Sequence, residues 1–132
     1  MTKSITTALA LLLLLCACAS TGGVSSAAGG RADLLTEEQL REQSFNTAYE
    51  AVLSLRPNWL RTRGVDSFRS PGQVQVYVDN MRMGGVSTLE QIPAIAIYWI
   101  RWYDGLDASS RWGLDHGNGV IYVSTSREQR AN

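Results

Sequence analysis

Three apolar segments in the C-terminal half of the chain limit its possible folds more than any other feature. Each is rich in β-branched or aromatic residues, which predicts strands at 74–79, 97–103 and 120–125. The 17 and 16 residues between them are long enough for crossover connections that carry a short helix. The middle segment is apolar on both faces, so we expect a central strand that is covered on both sides.

The residues before these strands are predicted to form two helices and a fourth strand. Thr36 and Gln39 have the spacing of a capping box, which predicts a short helix. A second helix is expected from about Asn46 to just before Pro57, because proline and its predecessor disfavour helical geometry. Residues 59–63 have the pattern of a short strand.

Turn signals between the apolar strands predict two single helical turns. Residues 87–90 offer a second capping box ahead of Pro93, and Asp107 is expected to cap a turn that ends at Gly113. Gly84-Gly85 is expected to break the chain after the first strand. Together these patterns predict an α+β fold with a small, mixed, four-stranded sheet and short helices.

The first 17 residues have the plan of an export signal. The apolar run 5–15 is shorter than the about 20 residues that a helix needs to cross a bilayer. It leads into Leu-Cys-Ala-Cys, which resembles the lipobox of bacterial lipoproteins, and only Cys18 follows a small residue. The resemblance implies cleavage after Ala17 and a lipid on Cys18. The alternative is an ordinary cleavable signal with two incidental cysteines.

We expect a lipid on Cys18 to place the protein in the outer membrane, facing the periplasm. Several acyl chains on one cysteine give stable anchoring, and no aspartate follows Cys18 as an inner-membrane retention signal would require. Residues 18–34 are mostly small and polar, which predicts a flexible tether. The folded domain is then expected at 35–126, followed by a tail at 127–132.

Composition and residue spacing give little support to nucleic-acid binding, catalysis or calcium binding. The 12 Lys+Arg balance 12 Asp+Glu without a basic cluster, so we expect no nucleic-acid partner. His116 is the only histidine, and its neighbour Asp115 cannot readily orient it as a triad requires, so we expect a polar loop residue and no enzyme. Asp104 and Asp107 lack the alternating oxygen ligands of a calcium loop, and no cofactor is expected.

Aromatic residues with one arginine give the candidate binding surface. We expect them on one face of the predicted sheet: Tyr77, Trp99, Arg101, Tyr103 and Tyr122. Aromatic residues and arginine are enriched where proteins recognise partners. The alternative, favoured by the continuous apolar strand, is that the helices cover this face and make it core.

The order of five segments resembles the plug domain of TonB-dependent outer-membrane receptors. Residues 76–83, VYVDNMRM, are similar to a "VYVDGVRV" segment, with Asn80 in place of the usual turn glycine. Four more segments follow in plug order: 89–93 ("L..IP"), 97–105 ("IE.IEVLRG"), 108–113 ("A.A.YG") and 117–125 ("GANGVI.ITT"). Asp104-Gly105 departs from the usual Arg-Gly. The resemblance covers residues 35–125.

This resemblance implies a non-catalytic binding or accessory module for an outer-membrane component, such as a receptor barrel or its energy-coupling protein. A receptor would begin its barrel after Thr125, where seven residues remain here, so we do not expect a transporter by itself. The alternative function is capture of a small nutrient by residues 66–72 and 80–87, as receptor plug loops do.

The lipobox interpretation predicts how replacing one cysteine changes the location of the protein. We expect Cys18→Ser to move the protein from the membrane fraction to the soluble periplasm, because the acceptor for the lipid is lost. Fractionation followed by immunoblotting measures this, with Cys16→Ser as the control that stays at the membrane. Retention of the Cys18→Ser protein in the membrane fraction would contradict lipidation at this residue.

Overall fold

The computed structural model describes residues 32–62 and 72–127. The predicted leader with Cys18, most of the tether, residues 66–71 of the proposed ligand loop and the tail after Arg127 lie outside these ranges. Leu34, which we assigned to the tether, is the first residue of a strand. The predictions for the N-terminal segment therefore stay predictions.

A five-stranded mixed sheet forms the centre of the described residues, one strand more than expected. Its strands are β1 (Leu34–Thr36), β2 (Gln75–Val78), β3 (Met81–Gly85), β4 (Trp99–Tyr103) and β5 (Val120–Ser124). Their spatial order is β1-β4-β5-β2-β3. Strands β2 and β5 are parallel and all other neighbours are antiparallel. The predicted α+β class and the mixed sheet are confirmed.

Among the described residues, three short α-helices and four 3₁₀ turns surround the sheet. The helices are α1 (Glu37–Glu42), α2 (Ala48–Leu55) and α3 (Gly105–Trp112), and the 3₁₀ turns are Pro57–Leu60, Val86–Gln91, Ala94–Ala96 and Leu114–His116. The capping box that starts α1 is confirmed, since Thr36 N donates to Gln39 Oε1 at 3.1 Å and Gln39 N donates to Thr36 Oγ1 at 3.5 Å. Thr47 caps α2 by accepting from Glu50 N.

Several local predictions were wrong. The predicted strand at 59–63 begins instead within a 3₁₀ turn, because Pro57 favours the first helical position. The 3₁₀ turn Val86–Gln91 has no side-chain cap, so the second capping box does not form. Helix α3 begins earlier than expected, because Asp104 rather than Asp107 accepts from two amides at 2.9 Å. Its predicted end at Gly113 is confirmed.

A tight turn creates strand β3, which, like β1, we did not predict. Asp79 and Asn80 both have positive φ, 45° and 73°, as the central residues of type I′ hairpin turns do. The chain therefore reverses at once and pairs β3 with β2, whereas we expected Gly84-Gly85 to break it. Asp79 also accepts hydrogen bonds from the amide of Thr125, at 3.0 Å, and from its hydroxyl, which fastens the turn to the end of β5.

The main core lies on one face of the sheet, under α1 and α2. It joins side chains from the strands with side chains from the covering helices and turns: Leu35, Leu40, Ala48, Ala51, Val52, Trp59, Val74, Val76, Leu89, Ile92, Ile97, Ile100, Ile121 and Val123. Every residue of β5 is buried, so β5 is the strand covered on both sides. We expected this of the segment 97–103, but Trp99, Arg101 and Trp102 are only half-buried.

The turn geometry predicts how replacements of Asn80 affect stability. Asn80→Val should lower the free energy of unfolding by about 1–2 kcal/mol, because a β-branched side chain disfavours left-handed backbone. Asn80→Gly is the matched control and should leave stability equal or higher. Urea unfolding measures both. Equal stability of the two variants would contradict a positive φ at this residue.

Candidate functional site

All five residues of the predicted binding surface lie on the second face of the sheet, which we call the aromatic face. Arg101, Tyr122 and Tyr77 stand directly opposite one another on the adjacent strands β4, β5 and β2. Trp99 and Tyr103 are two residues either side of Arg101 and so share its face of β4. Sheet register thus brings together residues up to 45 positions apart in the chain.

Helix α3 covers much of the aromatic face, mainly through the Trp112 ring. The Trp112 ring lies 4.9 Å from the Tyr77 ring and 5.1 Å, edge-on, from the Tyr103 ring, centroid to centroid. Tyr77, Tyr103 and Tyr122 are only 7%, 9% and 3% exposed. The three tyrosines are therefore core residues, and of the predicted surface only Trp99 and Arg101 are accessible to a partner.

Two arginines border the aromatic face beside Tyr103. The guanidinium groups of Arg101 and Arg111 lie 5.0 and 5.4 Å from the centre of the Tyr103 ring, within reach of cation–π attraction. Arg111 also donates to Tyr103 Oη at 3.2 Å and lies 5.0 Å from the Trp112 ring. Arg101 pairs with Asp33 at 3.2 Å, which connects the cluster to the residue before β1.

His116 is buried, which differs from the polar loop residue that we expected. Its side chain is 2% exposed, and its Nε2 lies 2.9 Å from Tyr77 Oη. Its Nδ1 lies 3.1 Å from the Gly113 carbonyl and 3.1 Å from Asp115 Oδ1. Tyr77 lies 39 positions away, so no local pattern in the sequence could have revealed this contact.

A polar chain continues from His116 to the solvent. Asp115 Oδ2 accepts from Arg82 at 3.0 Å, and Arg82 Nε donates to Gln75 Oε1 at 3.2 Å. A backbone hydrogen bond, together with the neighbouring His116 ring and the Arg82 guanidinium, holds the pKa of Asp115 below its usual value. Asp115 is exposed, so its ion pair with Arg82 adds little stability.

Residues 32–62 and 72–127 were compared with the requirements of a metal site and of a membrane-spanning helix. These ranges hold no cluster of three or more His, Cys, Asp or Glu side chains that could bind a metal ion. Within the same ranges, every helix is too short or too polar to cross a bilayer. The chain matches no family model, no curated protein and no solved structure.

Burial of the Tyr122 phenol predicts a pH dependence of stability. Burial, with a further contribution from the Asp79 carboxylate, raises the pKa of Tyr122 above its ordinary value of 10.0. The folded state thus holds this proton more tightly, so the stabilisation is complete below about pH 10 and is lost as the pH rises through the folded-state pKa.

Urea unfolding at a series of alkaline pH values measures this loss. The control is Tyr122→Phe, which should show a shallower decline over the same range because the proton is gone. Identical slopes for both proteins would contradict a raised pKa at Tyr122.

Proposed function

We propose that this chain is a lipid-anchored, non-catalytic envelope protein whose plug-like domain binds an outer-membrane component. The observation that carries the proposal is the pairing of a lipobox-like leader, ending at Cys18, with a folded domain whose motifs follow plug order. In this proposal the lipid on Cys18 is the anchor, and the folded domain carries the binding surface.

The sheet topology supports the plug-like part of this proposal. Parallel pairing of β2 with β5 requires a crossover, whereas strands joined only as consecutive hairpins would argue against the resemblance. The structure also explains why two residues of the plug-like motifs suit their positions. Asn80 takes the left-handed geometry of the turn glycine. A Cβ on Gly119 would lie 2.5 Å from the Trp102 ring, so only glycine fits there.

The β3 edge is the surface that fits a protein partner best. Strand β3 is last in the sheet order, so among the described residues only β2 pairs with it. Met81 and Met83 on this strand are 68% and 48% exposed. An edge strand with exposed apolar side chains can receive a strand from another protein, which combines backbone hydrogen bonds with side-chain contact. Part of this edge is already used, because Thr88 Oγ1 donates to the Met83 carbonyl at 3.4 Å. We propose that a receptor barrel or its energy-coupling protein binds there.

Capture of a small ligand is the second candidate function. Residues 80–85 form the hairpin turn and β3, so they are not the open loop that this function would use. A groove of about 500 Å³ does lie beside Trp59 and Trp102, which stack with their ring centroids 6.3 Å apart. Its size is within the usual range for small-molecule sites.

Site-specific photocrosslinking in intact cells tests the proposed partner. A photoreactive residue at Met81 should capture an outer-membrane protein, because this side chain would lie in the interface. The same residue at Glu42, exposed on α1 near the opposite sheet edge, is the control and should capture much less. Capture of no outer-membrane protein from Met81, together with saturable heat when envelope small molecules are added, would favour the ligand-capture alternative.

A further inference from the structure

The hydrogen bond between Tyr77 and His116 has a defined direction. His116 Nδ1 faces two acceptors, the Gly113 carbonyl and the Asp115 carboxylate, each at 3.1 Å. In the neutral ring, Nδ1 therefore carries the hydrogen and Nε2 offers its lone pair. Tyr77 Oη, 2.9 Å from Nε2, is then the donor. A buried phenol is thus bonded directly to a base that can accept its proton.

A continuous set of aromatic rings leads to this pair. Trp112 is half-buried, so it is accessible from solvent, and its ring lies 4.9 Å from the Tyr77 ring. On the other side, Trp99 is 5.3 Å from Tyr122, which is 6.3 Å from Trp112. An electron can hop over such distances between neighbouring rings. If an oxidant removes one electron from any of these rings, Tyr77 can therefore become the oxidised residue.

The charges around the rings favour Tyr77 as the residue that is finally oxidised. Arg111 lies 5.0 Å from the Trp112 ring, and its positive charge disfavours a radical cation on that ring. At the other end, Asp115 lies 3.1 Å from His116 and stabilises the imidazolium that forms when the ring accepts a proton. Arg82 is bonded to the other oxygen of this carboxylate, which fixes its position.

Tyr103 offers no comparable end point, although it touches the same tryptophan. Its phenol oxygen accepts a hydrogen bond from Arg111, and a guanidinium cannot take a proton. Arg101 adds a second positive charge 5.0 Å from the ring. Loss of an electron from Tyr103 would therefore create positive charge beside two cations.

We propose that Tyr77 and His116 form a redox site that accepts oxidation by one-electron oxidants such as peroxyl or carbonate radicals. In this step, one electron leaves Tyr77 through Trp112 and reduces the oxidant. The phenol O–H bond breaks, and its proton forms a bond with His116 Nε2. The products are a neutral tyrosyl radical, an imidazolium paired with Asp115 and the reduced oxidant. This oxidation does not depend on the partner binding proposed above.

Flash photo-oxidation of the full chain with ruthenium tris-bipyridine and a sacrificial electron acceptor tests this proposal. Transient absorption and electron paramagnetic resonance distinguish tyrosyl from tryptophanyl radicals. We expect Tyr77→Phe to lose most of the long-lived tyrosyl signal. The matched control is Tyr98→Phe, which removes a half-buried tyrosine outside the cluster and should retain the signal.

His116→Gln separates proton transfer from structure. Glutamine retains a hydrogen-bond acceptor but cannot take the proton, so the tyrosyl radical should form more slowly and lose its solvent deuterium isotope effect. Peptide mapping of the oxidised product in the unmodified chain should find Tyr77 as the main site, which requires no variant to fold. Equal losses in Tyr77→Phe and Tyr98→Phe, an unchanged isotope effect in His116→Gln, or products spread over all tyrosines would overturn the proposal.

Discussion

Parallel pairing of β2 with β5 is the constraint on which the rest of the structure depends. Parallel strands cannot be joined by a tight turn, so the chain between them must leave the pair and return. It places β3 beside β2, crosses to form β4 and comes back through α3. Strand β5 then lies between β4 and β2. The return is tight, because a Cβ on Gly105 at the start of α3 would lie 2.0 Å from the Gly117 carbonyl oxygen.

The two faces of the sheet are built differently because they are covered by different amounts of chain. Helices α1 and α2 and several 3₁₀ turns cover the first face, where mainly aliphatic side chains fill the space. On the second face, within residues 32–62 and 72–127, the eight-residue helix α3 covers the strands. One short helix supplies few side chains, so large rings such as Trp112 and Tyr122 fill the volume instead. The aromatic composition of this face is thus explained first by packing.

Sequence reasoning succeeded where the structure is determined by neighbouring residues. The capping box at Thr36 joins residues three positions apart, and the apolar segments that became β2, β4 and β5 are visible in the chain itself. It missed β1, because Leu34–Thr36 is only three residues long and is held by pairing with β4. It missed β3 for a similar reason, since two glycines weaken its pattern and β2 supplies the hydrogen bonds.

The candidate site shows the same limit, and this bears directly on function. The sequence identified the aromatic face, but the same aromatic pattern suits a recognition patch or a core. Only the position of Trp112 decides between them, because it buries the three tyrosines. Side chains that pack α3 onto the sheet cannot also meet a partner unless that helix moves away. The partner binding that we propose is therefore better assigned to the β3 edge, and the buried face suits the proposed oxidation of Tyr77 instead.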